Sequence, residues 1–167
     1  MPFQAQLQVW FHWLQNTPFA TNIRQADLLF PLIEGTHILA LSFSVGLIVM
    51  LDLRLLSLAF RGEAVSKVMH QVMPWALPGF AVMFVSGIVL FITQAEKAYS
   101  NTFFRFKILF LILAGLNALF YQLKFYPHMK EWDTAPSVPG GARLTAGLSL
   151  FLWVAIIALG RTMAYEL

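Results

Sequence analysis

Between residues 68 and 93 the chain carries no Asp, Glu, Lys or Arg. That run exceeds the ~20 apolar residues with which a helix crosses a bilayer. In a small soluble domain such a helix would be apolar all round, with no face to turn toward water. Three other runs share its character: 28 to 56, uncharged from 38 to 51, then 103 to 125 and 144 to 165. The sequence therefore predicts an all-α integral membrane four-helix bundle over 28–167, with spans at about 28–56, 68–93, 103–125 and 144–165. Residues 1–27 form an amphipathic N-terminal segment ahead of it. Composition agrees: 59% of the 167 residues are hydrophobic and only 11% charged, against ~25% charged in ordinary soluble domains.

Several function classes fall away at once. The chain has no cysteine, which removes disulfides, iron–sulfur clusters and thiolate zinc sites. Its formal net charge is +3 with the basic residues scattered singly, a pattern unlike a nucleic-acid surface. No phosphate loop, nucleophile elbow or His-Glu-x-x-His is present. The start of the chain lacks the basic n-region of a cleavable signal, and glutamines interrupt its first apolar stretch.

Residues 4–16 read as a short interfacial helix, because Leu7, Trp10, Phe11 and Leu14 fall at i, i+3, i+4 and i+7. Tryptophans suit the water–lipid boundary, where the ring sits in hydrocarbon and the N–H stays wet. Pro74 and Pro78 are expected to bend the second span. The clearest linker is the Pro/Gly stretch over 135–141. Four spans place loops one and three on one face with Arg54, Arg61, Lys67, Lys124, Lys130 and Arg143. Arg24, Lys97, Arg105, Lys107 and Arg161 lie on the other. Six against five leans loops one and three toward the cytoplasm. Small residues at Ser42, Gly46, Gly79, Gly87, Ala114, Gly115, Ala118, Ala146, Gly147 and Ser149 are candidates for close helix approach.

Polar groups at membrane depth are costly, so they mark candidate sites. His37 stands about 9 Å beyond Pro31 along the first span, level with Ser86 and Gly87 of the second. A neutral imidazole facing a glycine leaves room for a flat cofactor. Glu34 and His37 form a Glu-x-x-His pair, but a di-iron bundle needs a second pair and further glutamates, which the chain lacks. His70 and His128 lie at the opposite face, roughly 25 Å from His37, where a second, weaker haem-iron pair is geometrically allowed. Glu34, Lys107 and Arg161 share one depth, and Lys107 with Arg161 suits a quinone or lipid headgroup. Asp52, Arg54, Asp133 and Arg143 are expected to meet at the other end and pair with one another.

Glu34-x-x-His37, Gly46 and Asp52-Leu53-Arg54-Leu55-Leu56 resemble the opening of a family of small bacterial four-span membrane proteins of unknown function. Gly87-x-x-Leu90-Phe91, Ala114-Gly115-Leu116-Asn117-Ala118, Trp132-Asp133 and Gly160-Arg161-x-x-Ala164-Tyr165 are similar to its later blocks. In that family a histidine often follows the Asn-Ala block, where this chain has Gln122. The layout also resembles membrane b-type cytochromes and copper-resistance membrane proteins, in architecture and residue type only.

The leading expectation is a multi-pass subunit of the bacterial inner membrane that binds b-type haem and relays electrons between a partner protein and the quinone pool. His37 would be the axial ligand, with Glu34 fixing its tautomer and Gly87 giving room. The alternative is a cofactor-free accessory or assembly subunit packed against a larger membrane complex, or a homo-oligomer in lipid. Neither reading makes the chain itself a catalyst.

Overall fold

The computed structural model describes residues 3–133 and 138–166, without the side chains of 3–5 and 164–166. Eight helices follow one another: α1 (Phe3–Gln15), α2 (Pro18–Gln25), α3 (Leu29–Leu55), α4 (Val65–Thr93), α5 (Ala95–Ser100), α6 (Thr102–Lys124), α7 (Met129–Trp132) and α8 (Gly140–Glu166). Four of them, α3, α4, α6 and α8, are long and apolar enough to cross a membrane. Of the linker expected over 135–141, residues 135–137 lie outside the described residues, and α8 already begins at Gly140.

Side chains set several helix ends. Thr17 accepts a hydrogen bond from the Ala20 amide at 3.4 Å, and Pro18 follows in the first turn of α2, where its missing N–H costs nothing. Asn101 accepts from the Phe104 amide at 3.1 Å and starts α6. The second span begins at Val65, ahead of its apolar run, because Asp133 reaches across from the α7 end. Its carboxylate accepts from the Ser66 amide at 2.7 Å and from the Ser66 hydroxyl at 2.5 Å. Pro74 and Pro78 both lie within α4, which runs on through them to Thr93.

The α3–α4 turn is tightly built. Ser57 and Phe60 take φ of 59° and 53°, a left-handed conformation costing about 1–2 kcal/mol for a residue with a Cβ. Two buttresses hold it. Arg54 donates from Nε to the Glu63 carbonyl at 2.6 Å, and Arg61 Nε to the Ser57 carbonyl at 2.5 Å.

α3 lies along α4 and α6 along α8, and contact between α3 and α8 joins the two hairpins. One core cluster, at the α7 end, packs Leu51, Leu55, Val68 and Val72 around Tyr121 and Trp132. A second gathers Val45, Met83, Trp153 and Ile156, with Phe80 stacked on Trp153 at 5.3 Å. The outward faces are apolar: Leu39, Val85 and Val154 are 72%, 64% and 68% exposed, and Tyr121 is the one buried residue of α6. Such surfaces belong in hydrocarbon rather than water. The chain is a multi-pass membrane protein in contact with lipid.

The interfacial stripe divides in two. Phe11 turns inward, its ring 5.9 Å from Phe91 and 4.5 Å from Tyr99. Trp10 turns outward with Trp13, the pair 67% and 61% exposed and edge to face at 5.8 Å. α1 thereby seals the end of α4 with one flank and offers indoles to the surroundings with the other. The small residues divide as well. Gly79 and Gly87 meet α3 side chains, whereas a Cβ at Gly46, Gly115 or Gly147 would meet nothing within 4 Å. The Cα–H directions of those three glycines face open space among the described residues.

Candidate functional site

His37 stands eight residues beyond Leu29, about 12 Å down α3 at 1.5 Å per residue, with its ring against α4. Nδ1 lies 2.9 Å from the Met83 carbonyl and 3.1 Å from Ser86 Oγ. A carbonyl only accepts, so Nδ1 carries the proton, and in the neutral ring the lone pair resides on Nε2. Ser86 bonds back to its own helix, donating to the carbonyl of Val82 at 2.7 Å or of Met83 at 3.0 Å. The structure thus brings His37 to Ser86 and Gly87, residues of the expected depth. The tautomer is set by the Met83 carbonyl rather than by Glu34, because the ring turns onto α4 whereas Glu34 is exposed on α3.

Gly87 is where the ring rests. A Cβ there would stand 3.0 Å from His37 Cε1. The room left by the missing side chain is therefore filled by the imidazole itself.

Lys107 comes toward the same layer from α6. Its stem lies against Gly160 of α8, where a Cβ would stand 3.2 Å from Nζ. Lys107 and Glu34 are both within electrostatic reach of the His37 ring. Lys107 has no carboxylate at ion-pair distance among the described residues. Arg161, one residue beyond Gly160, is exposed and has a partner of its own.

Above this layer, α1 and α2 fold over the bundle mouth. His12 Nδ1 lies 3.1 Å from Glu96 Oε2, and Gln15 donates to the same oxygen at 2.6 Å. Arg24 donates to the carbonyls of Gln15 and Thr93, both at 3.1 Å. Gln15, Arg24 and Thr93 border an open polar cleft of about 530 Å³ whose lining also includes Asn16, Asp27, Phe30, Gln94 and Lys97. On the outward side of the α3–α4 hairpin runs an apolar groove of about 490 Å³ between Leu32, Ile33, Val82 and Val85.

The opposite end is differently organised. His70 is exposed on α4, and His128 is exposed with Nδ1 3.2 Å from Glu131 Oε1. The expected mutual pairing of Asp52, Arg54, Asp133 and Arg143 does not occur among the described residues. Backbone takes two of the charges instead, Arg54 binding the Glu63 carbonyl and Asp133 capping α4, while Arg143 is exposed. Asp52 is 5% exposed with the Ser149 hydroxyl as its side-chain neighbour. Its Oδ2 and the Tyr121 hydroxyl are buried without a partner among the described residues. Tyr121 carries no mark in the sequence, and Ser149 and Gly160 are marked there only as a small residue and as part of a family block, because the neighbours of all three depend on how the two hairpins meet. No group of three His, Cys, Asp or Glu able to hold a metal ion occurs among the described residues.

These features define an all-helical, four-span membrane protein with a histidine held inside its bundle. The chain belongs to a family of unknown function, DUF6644, whose model matches residues 11–166. No curated protein and no solved structure matches it.

Proposed function

We propose that this chain is the quinone-side subunit of an electron-transfer complex in a bacterial cytoplasmic membrane, with the headgroup held between His37 and Lys107. The observation behind this reading is their juxtaposition: a lone-pair nitrogen on α3 and an ammonium on α6, at one depth, with no carboxylate paired to the ammonium among the described residues. An intramembrane ionisable group is by default a functional one. Lys107 would donate to a quinone carbonyl, and His37 Nε2 would accept from the hydroxyl of the quinol. The electrons would come from the redox centre of a partner protein in the same complex.

The test is equilibrium titration of the detergent-solubilised protein with a short-chain ubiquinone, followed by tryptophan quenching. Saturable binding is expected, weakened roughly tenfold, or about 1.4 kcal/mol, in Lys107→Met and in His37→Phe. Unsaturable partitioning that is identical in all three proteins refutes the site.

A second reading is favoured by the Nδ1 bond to a backbone carbonyl, which orients metal-bound histidines in many proteins. His37 Nε2 would then carry b-type haem, whose iron supplies one-electron chemistry when bound. The fit is incomplete on the protein's side. His12 is engaged with Glu96, while His70 and His128 lie at the far end, so His37 would be the sole histidine ligand. The ring also occupies the space over Gly87. A Soret band lost in His37→Ala supports haem. A colourless protein that binds no quinone leaves the cofactor-free accessory role, as a partner or homo-oligomer subunit.

A further inference from the structure

The cleft at the bundle mouth and the His37 layer lie at successive levels of α3. Phe30 lines the cleft. Phe30, Glu34 and His37 follow at i, i+4 and i+7, one continuous stripe of the helix. Glu34 is therefore one turn below the cleft and one turn above His37, and the residue is exposed. No hydrogen bond or ion pair holds that side chain among the described residues, so it keeps the freedom of its arm. His37 Nε2 is the atom of the layer able to receive a proton, because Nδ1 already carries one to Met83.

We infer that Glu34 passes protons between water in the polar cleft and Nε2 of His37. In the inward direction, hydronium in the cleft protonates the Glu34 carboxylate and leaves water. The carboxyl then swings down and gives that proton to Nε2, forming imidazolium and restoring the carboxylate. The charged groups bordering this route are Arg24, Asp27 and Lys97 around the cleft, Lys107 on α6 and Arg161 on α8. A quinone reduced at His37 needs two protons, and this route would supply them. That use rests on the preceding reading; the route itself does not.

The experiment follows proton exchange at His37 Nε2 by NMR, as exchange broadening of its ¹⁵N resonance while neutral and protonated rings are both populated, on ¹⁵N-histidine-labelled protein in detergent micelles. Glu34→Gln keeps the shape and polarity of an exposed side chain and removes only the transferable proton. It is expected to slow exchange by roughly tenfold or more, while Glu34→Asp restores most of the rate. Equal rates in wild type and Glu34→Gln overturn the proposal, as does a wild-type Nε2 that takes up no proton as the solution is acidified. Slowed exchange in Glu34→Gln together with no quinone binding supports the route and removes the quinone reading. Retained quinone affinity in Glu34→Gln, with slowed exchange, supports both.

Discussion

Gly87 carries the imidazole of His37 on its bare Cα: a methyl group added there would stand 3.0 Å from Cε1. The consequence depends on two opposed magnitudes. Alanine in place of helical glycine contributes about 0.5–1 kcal/mol, while overpacking a filled contact costs about 1–3 kcal/mol. Gly87→Ala should therefore destabilise by about 1 kcal/mol, and Gly87→Val by clearly more, since the larger side chain drives the ring off the Met83 carbonyl. At Gly46 the space is open, so Gly46→Ala should be neutral or mildly stabilising. Thermal unfolding in one detergent compares the three. Equal effects at both positions contradict the contact.

Gly79 poses the same problem against a polar atom. A Cβ there would overlap the Ser44 hydroxyl, which is itself buried without a hydrogen-bond partner among the described residues. An unsatisfied buried hydroxyl costs about 1–3 kcal/mol, so Ser44→Ala should be neutral or stabilising. Gly79→Ala alone should lose about 1–3 kcal/mol. In the double variant the remaining Ser44 Cβ would be 3.5 Å away, ordinary van der Waals contact. The double-mutant cycle should then show a coupling of about 1 kcal/mol or more. Additive losses would mean that the two residues do not touch.

Much of this architecture is legible in composition and spacing. The four spans follow from charge-free runs, because hydrocarbon tolerates only helices whose backbone bonds are internal. His37 opposite Ser86 and Gly87 follows from counting residues in an antiparallel pair. Thr17-Pro18 and Asn101 are cap signatures of α2 and α6 that pattern reading passes over when attention is on long apolar runs. The rest depends on rotation about helix axes, which a uniformly apolar helix hardly encodes. Gly46, Gly115 and Gly147 have the composition of contact residues yet face open space. Asp52, Arg54, Asp133 and Arg143 share a depth without pairing among the described residues: Arg54 and Asp133 bond to backbone, Asp52 lies beside Ser149, and Arg143 is exposed.

The capping of α4 from a distant segment gives a local test. Asp133 supplies both acceptors to Ser66, across 67 positions of sequence. Loss of a helix cap costs about 0.5–2 kcal/mol, and this one also ties the α7 end to the second span. Asp133→Ala should lower stability by about 1–2 kcal/mol and speed amide exchange in the first turn of α4. Exchange at the α6 start, capped by Asn101, should be unchanged. Uniform acceleration throughout the bundle would show instead a general loosening.

Arg54 supports a turn in which two residues with side chains adopt left-handed backbone. It is 4% exposed and its Nε donates to the Glu63 carbonyl at 2.6 Å. A hydrogen bond from a charged donor contributes about 1.5–3 kcal/mol. Arg54→Met keeps the stem and removes the donor, so the Ser57–Phe60 turn loses its inner buttress and the loss should fall in that range. Lysine cannot repair it, because an ammonium on a flexible stem lacks the planar Nε–H that meets the carbonyl. Arg54→Lys should thus be nearly as unstable as Arg54→Met, with faster proteolysis confined to the α3–α4 turn. A lysine variant as stable as wild type would show that charge alone, and not the fork of the guanidinium, holds the turn.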